Sequence, residues 1–538
     1  QLCVPAFEAG TRRVQFWSGY SDPVTGTQPV QVNGTDVAGS APGTGIDLAF
    51  GPGAQATMRV RYTDAGLMTL NARYAPTTGE EADLVMTGTD QFVSKPYGLL
   101  LKTDGVCSSA DIACPVFPGG VRAGDPFQLR IAAVAWQSDG EALNAAALED
   151  NLVTPNFRLG NIGLSSAVVA PAGADDGSFS PSAYSHVLGD RTDVAAVVSE
   201  VGIFRLSATP KVSYFGEVVS GGSSELTGRF IPAYLRAVGR ASLTPSCGSF
   251  SYQGQPMSFA PNREPVLTIS GRNRQGGVTR NYDQGAFWRL LNPPASGVYS
   301  STLGNALDAR LQVLDSASVS VAGAGNGDGL REYRYSGERL SYVPAEAPEA
   351  IDLPFMARLN QRFSAASLSD ADGACHGGGT GCTDFAYDFT DEPGSEVRLG
   401  RLHIGNAHGS ELQALSLPVN VQSWQNTAGG NAFMREGLDN CSAAHLGAAT
   451  LTDHSGNLAV GDTTASLSGP LAGVGVLNLT APGAGNDGSV RASFLSALPP
   501  TWLYYDWQGN GREMARGLAT FGIYQGSPPL IFRRELYR

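Results

Sequence analysis

The chain has 538 residues, too long for one hydrophobic core and enough for several domains of about 100–200 residues each. Hydrophobic residues make up 42% and charged residues 16%, which excludes a chain disordered by composition. A formal net charge of −13 repels phosphate backbones and argues against a nucleic-acid partner.

Glycine (68) and proline (32) are abundant, the usage of an all-β protein with many turns. Basic residues are nearly all arginine; the lysines are Lys95, Lys102 and Lys211. No apolar run reaches the roughly 18 residues of a membrane-spanning helix. The start, QLCVPAF, suits a mature or trimmed terminus.

In chain order, strand-like alternation appears first in RVQF, where Val14 and Phe16 oppose Arg13 and Gln15. It recurs in MRVRY, where Met58, Val60 and Tyr62 oppose Arg59 and Arg61. DAGLMTLNA (64–72) then finds an echo in EVGIFRLSA (200–208). Each has an acid, a glycine two residues on, and apolar residues four and six on. That pattern suits the corner entering strand F of an immunoglobulin-type sandwich. Between them, EALNAAALEDNL (141–152) fits either a short helix or a crossover loop. A second echo pairs VTPNFRLG (153–160) with VTRNYDQG (278–285), after the alternating runs FQLRIAAVAW and VLTISGRN. The echoes predict serial sandwich modules. Boundaries fall at FVSKPYG (92–98), FIPAYL (230–235) and FTDEPGSE (389–396). This gives modules at 1–94, 95–232, 233–392 and 393–538. The end reads as a hairpin: ATFGIY, QGSPP, then LIFRRELY, with proline and arginine blunting an edge.

Of seven cysteines, Cys107/Cys114 and Cys375/Cys382 bracket short Gly-, Ser- or Asp-containing loops that bring sulfurs together without strain. Zinc would want a further Cys or His pair and shorter spacings. Two disulfides are therefore expected, with Cys247–Cys441 as a third, and an oxidising location. Cys3 is left over within this chain.

Candidate chemistry is sparse. No nucleophile elbow, HExxH, P-loop or dinucleotide fingerprint occurs, which removes the common hydrolase and nucleotide readings; the expectation is a non-enzymatic protein without a cofactor. Five of six histidines lie between His376 and His454. His403 and His408 with Asp384, Asp388 and Asp391 would allow a metal or acid–base site. Residues five apart on a strand face opposite ways, however, so surface turns are the expectation. Exposed tryptophans stack on the apolar faces of sugar rings, whereas most tryptophans in sandwiches fill cores. Trp507 and Trp424 are the binding candidates, Trp507 because it sits in a Gly-Asn turn. In DWQGNG, Asp506, Gln508, Asn510 and Gly511 fit the first half of an EF-type loop. Position 12 is Gly517, so the bidentate carboxylate is missing and a Gly-rich turn without metal is expected. Asp506 and Asn510 are the pair a cation would use.

RLGRLHIGNAHGSEL (398–412), WQNTAGGNAF with DNCS (424–442) and LYYDWQGNG through LIFRRELYR (503–538) resemble the C-terminal region of MshQ-like proteins of the MSHA type IV pilus. FWSGYSDPVTGTQPVQVNGT, DAGLMTLNARY, FVSKPYG, LTPSCGSFSYQGQP and NYDQGAF fit the same family in the same order, so the resemblance covers nearly the whole chain. It implies an extracellular, pilus-associated protein of the bacterial cell surface, at or near a pilus tip, and does not imply an enzyme. The partners would be minor pilins or a tip complex, with surface glycans as a further ligand class. The alternatives are a structural stalk that docks minor pilins by strand addition and, last, a glycan-active hydrolase.

Overall fold

The structure is a computed structural model and describes residues 9–378, 381–389 and 395–522. Almost all regular structure is strand. The α-helical pieces among the described residues are four residues each, Asn305–Asp308 and Ala443–Leu446. The protein is a series of immunoglobulin-like β-sandwiches, referred to below as segments one to four in the order read from the sequence.

In segment one, strand Gly10–Asp22 is central, antiparallel to Thr44–Phe50 on one side and Gly66–Tyr74 on the other. The alternation of RVQF is realised, since Val14 and Phe16 are buried with Ile46, Leu48, Met68 and Leu70. The alternation of MRVRY is not. Only Val60–Arg61 pairs, with Gln31–Val32, and Met58 and Val60 stay exposed. The core beneath this small sheet is filled by Val30 and Val32, with Tyr62 packed partly on it, so two paired residues of MRVRY add no buried face of their own.

Segment two is a sandwich of two four-stranded sheets. Phe127, Leu129, Ile131 and Ala133 point from strand Pro126–Val134 into one core with Ile162, Leu164, Phe204, Leu206 and Ala208 of the other sheet. Residues 141–152 form a loop and turns, not a helix. Asn144 Oδ1 accepts the Ala147 N–H, while Ala145 and Leu148 fill a small core with Leu100 and Val134. These anchors outweigh the alanine propensity for helix.

Segment three packs the sheet containing Tyr234–Arg240, Val266–Arg272 and Leu330–Ser336 over Val298–Ser301, Leu359–Phe363 and Phe385–Asp388, around Tyr282, Tyr333, Tyr335 and Phe363. A buried ion pair, Arg229 to Asp372 at 2.6 and 3.0 Å, ties it to segment two.

In segment four, Gly400–Ile404 and Val474–Leu479 flank Leu415–Thr427, which also turns into Gly430–Arg435. The second sheet places Gly517–Phe521 between Gly488–Leu495 and Ala407–Gly409. The expected terminal strand at 530–538 lies outside the described residues, as do Cys3 and Asp391. Segment three also reaches into segment four. Strand Phe250–Tyr252 runs parallel to Glu396–Arg398, and Cys247, Phe250 and Tyr252 are buried in the fourth core.

Three disulfides are formed: Cys107–Cys114, Cys375–Cys382 and Cys247–Cys441, the last spanning 194 residues.

Candidate functional site

The hairpin of segment four sets the site. Its turn, TAGGN, fixes a register that places Trp424 opposite Phe433. In antiparallel pairs, opposite residues share a face, and their rings stand 5.1 Å apart. On the adjoining strand Gly400–Ile404, Arg401 and His403 are two apart and so project to one side. Arg401 lies opposite Gln422 and donates to its Oε1 at 2.8 Å.

A loop covers this face. Tyr505 and Glu513 exchange backbone hydrogen bonds of 3.1 Å, closing a turn that carries Tyr505 and Trp507. The Arg401 guanidinium then lies 3.8 Å from the Phe433 ring centre, 4.7 Å from Trp507 and 5.1 Å from Tyr505. Tyr505 stands 5.2 Å from Phe433 and 5.1 Å from Trp507, and His403 is 5.7 Å from Trp507. The two candidate tryptophans thus belong to one aromatic row wrapped on an arginine, a cation–π arrangement. Both are half-buried, and their indole Nε1 atoms are enclosed without a hydrogen-bond partner. Trp507 also packs on the fourth core, so it fills space as well as facing outward. Burial lowers the pKa of Arg401 from its ordinary value. For His403, burial comes first and the charge of Arg401 second in lowering the pKa. Beside Trp507 opens a cleft of about 370 Å³, lined by His403, Asn406, Arg491, Gln508, Glu513 and Arg516.

The calcium-like spacing has another use. Asp506 Oδ1 accepts the Asn510 N–H at 2.9 Å, and Gln508 donates to Glu513 at 2.9 Å. Gly509 and Gly511 have φ of +74° and +104°, the conformation that favours glycine. Asp506 and Asn510 therefore close their own turn. Among the described residues, the metal-competent trio close enough to share an ion is Cys247, Asp439 and Cys441. Two of these sulfurs are bonded to each other.

The histidines serve separate local roles. His376 Nδ1 accepts the Ala237 N–H at 3.2 Å and its ring packs on Phe385. His408 sits in strand Ala407–Gly409, and His445 lies against Trp502. Asp384 pairs with Arg362 and accepts the Ala365 N–H, while Asp388 is exposed on its strand.

Sequence reasoning named Trp424 and Trp507 but missed Arg401, Phe433 and Tyr505. The signal for Phe433 was the turn at TAGGN, from which the pairing can be counted. It also passed over Trp136, 53% exposed at the end of the run that forms Pro126–Val134.

Fold and site together define a modular, immunoglobulin-type β protein with a surface aromatic row. The chain belongs to the DUF6701 family, a family of unknown function. The model of its first Ig-like domain matches residues 1–89, and those of the second, third and fourth domains match 95–196, 200–390 and 398–536. No curated protein matches the chain. Among solved structures, that of invasin, a bacterial integrin-binding protein, aligns over 79% of this chain and 60% of its own length, at 9% identity and a TM-score of 0.20. The chain therefore spans less than two thirds of that protein.

Proposed function

We propose that the chain is a non-enzymatic, extracellular, adhesin-like protein of the bacterial surface. In this reading it forms part of a pilus tip, and its fourth module presents the Trp424–Phe433–Tyr505–Trp507 row to a carbohydrate. The observation that carries the reading is the convergence of three of these rings, Phe433, Tyr505 and Trp507, on Arg401 beside an open cleft, with Trp424 packed on Phe433. Aromatic faces bind the C–H faces of pyranoses, and polar groups at the cleft fix orientation. Three disulfides support an oxidising, extracellular location. The resemblance to pilus-associated proteins supports minor pilins as the partners, and the segments FVSKPYG, FIPAYL and FTDEPGSE support the division at 94, 232 and 392 as the module plan.

A glycan array with the wild-type protein and with Trp507→Ala and Trp424→Ala tests this. Binding is expected for wild type, with a loss of tenfold or more in each variant. Binding that survives both substitutions, or turnover of a bound glycan, overturns the reading. Pull-down from the cell surface that recovers no pilin removes the pilus part alone.

A further inference from the structure

The two sequence echoes meet in space. Asp64, at the corner of segment one, is 1% exposed, and its Oδ1 accepts the N–H of Ala65 at 2.8 Å and of Asn156 in segment two at 3.0 Å. Glu200, at the matching corner of segment two, is 4% exposed. It accepts the N–H of Val201 at 2.8 Å and, from segment three, those of Arg280 at 2.9 Å and Asn281 at 3.3 Å. Asn156 and Asn281 hold the same place in VTPNF and VTRNY.

The neighbouring residues match as well. Ala65 and Val201, which follow the acids, are fully buried, and each lies in the core of the next segment. There they join Phe157 and Tyr282, the aromatics that follow the two asparagines. Gly66 and Gly202 come next, with φ of +153° and +139°. A Cβ on Gly202 would stand 2.5 Å from the Ala170 carbonyl oxygen, so the close turn requires glycine. Both asparagine side chains bridge the joint. Asn156 donates to the Tyr62 hydroxyl at 3.3 Å, and Asn281 donates to the carbonyls of Asp175 at 2.7 Å and Val201 at 3.0 Å.

Segment four supplies the contrast. Its corner reads Asn486-Asp487-Gly488, with Gly488 at φ +153° and Val490, Ala492 and Phe494 buried beyond it. Here the residue in the place of Ala65 and Val201 is an exposed aspartate. It accepts a hydrogen bond of 2.6 Å from Asn457 of its own segment.

We propose that the acid–apolar–glycine corner and the Val-Thr-x-Asn-aromatic turn are the two halves of one docking surface. It is used twice, and it holds each of the first two segments in a fixed orientation on its successor. The partner that fits the corner is a following immunoglobulin-type module whose turn offers backbone N–H groups and an aromatic-lined apolar socket. The carboxylate satisfies amides that the joint would otherwise bury unpaired. The apolar residue extends the successor's core back across the boundary.

The two joints ask for different readouts. At the second, the Arg229–Asp372 pair also connects the segments. At the first, the accompanying pair Arg158–Asp22 is solvent-exposed. The test therefore takes hydrogen exchange at both joints and distance distributions, from spin labels on segments one and two, at the first. In the full chain, Asp64→Ala and Glu200→Ala are expected to speed exchange of the Asn156 amide, and of the Arg280 and Asn281 amides respectively, at least tenfold. Amides of Leu129–Ile131 and Leu267–Ile269 should keep their protection. Asp64→Ala should also broaden the label distances. Asn281→Ala, which keeps acid and apolar residue in place, should speed exchange at the second joint by a smaller factor. Asp487→Ala should leave both joints unchanged. Wild-type exchange and distances in the acid variants overturn the proposal. So does a uniform loss of protection through the whole following segment, since that marks a core residue and not a docking surface.

Discussion

The first two joints and the third solve the same problem by different means. At the first two, a corner of a few residues seats in a turn of the next segment, and every contact is non-covalent. At the third, the chain interlocks. Phe250–Tyr252 lies against Glu396–Arg398, Tyr252 donates to buried Asp439 at 2.7 Å, and Cys247 is bonded to Cys441. Arg398, stacked 4.3 Å over Phe250, pairs with Glu436 and Glu396 at 2.7 and 2.8 Å. A corner-and-turn joint needs only local sequence and can be repeated. An interlock needs distant parts of the chain to be correct together, and it occurs once among the described residues.

The largest effect should come from the interlock. Replacing Cys247 and Cys441 by serine removes the constraint on a loop of 194 residues, a loss of about 5 kcal/mol in the chain-entropy model. Calorimetry should then show segment four melting separately and earlier, with segments one and two unmoved. An unchanged single transition would show that the packed strands alone hold this joint.

Next comes Arg398→Met, which leaves Glu436, 2% exposed at its side chain, without its cation. A cost of about 3–5 kcal/mol is expected for a buried charge that loses its partner. Chemical denaturation should place the loss at the third joint, and a midpoint equal to that of wild type would count against the pair.

The smallest effect distinguishes the joints by pH. Burial, opposed by the N–H groups of Val201, Arg280 and Asn281 and aided slightly by Asp175, pushes the Glu200 carboxyl up to about 7. Arg280 faces Asp175 across the same joint at 3.5 Å. With the folded pKa above the unfolded one, the folded state holds the extra proton. The contribution of Glu200 is therefore present below the ordinary glutamate range and is lost as pH rises through about 7. Its size should be roughly 1–3 kcal/mol. Melting curves from pH 5 to pH 8 should flatten in Glu200→Gln, and an identical slope in variant and wild type would refute the assignment.

The all-β architecture was legible because runs such as Val14–Phe16 and Phe127–Ala133 alternate over a full sandwich face. MRVRY alternates equally well and buries little, because only Val60–Arg61 joins a sheet, whose core face is already filled by Val30 and Val32. The sequence showed both echoes as repeats but not that they touch. Asp64 and Asn156 are 92 positions apart, and only the folded corner brings a carboxylate to that amide. The tryptophans were visible as residue types. Arg401 was not, because its role depends on three rings delivered from the hairpin and the 504–513 loop.

The bond between Cys247 and Cys441 also sets how the chain would answer a pull on its two ends. Tension entering at residue 246 crosses the sulfur bridge and leaves at residue 442, so the polypeptide between is bypassed. At about 3.3–3.6 Å per extended residue, the bypassed stretch amounts to roughly 650 Å of slack that stretching cannot release. Arg401, Trp424 and Phe433 lie within that slack, and Tyr505 and Trp507 lie beyond it. Most of segment three and one side of the aromatic row are thereby shielded from traction, while the loop carrying the other side remains in the strained path.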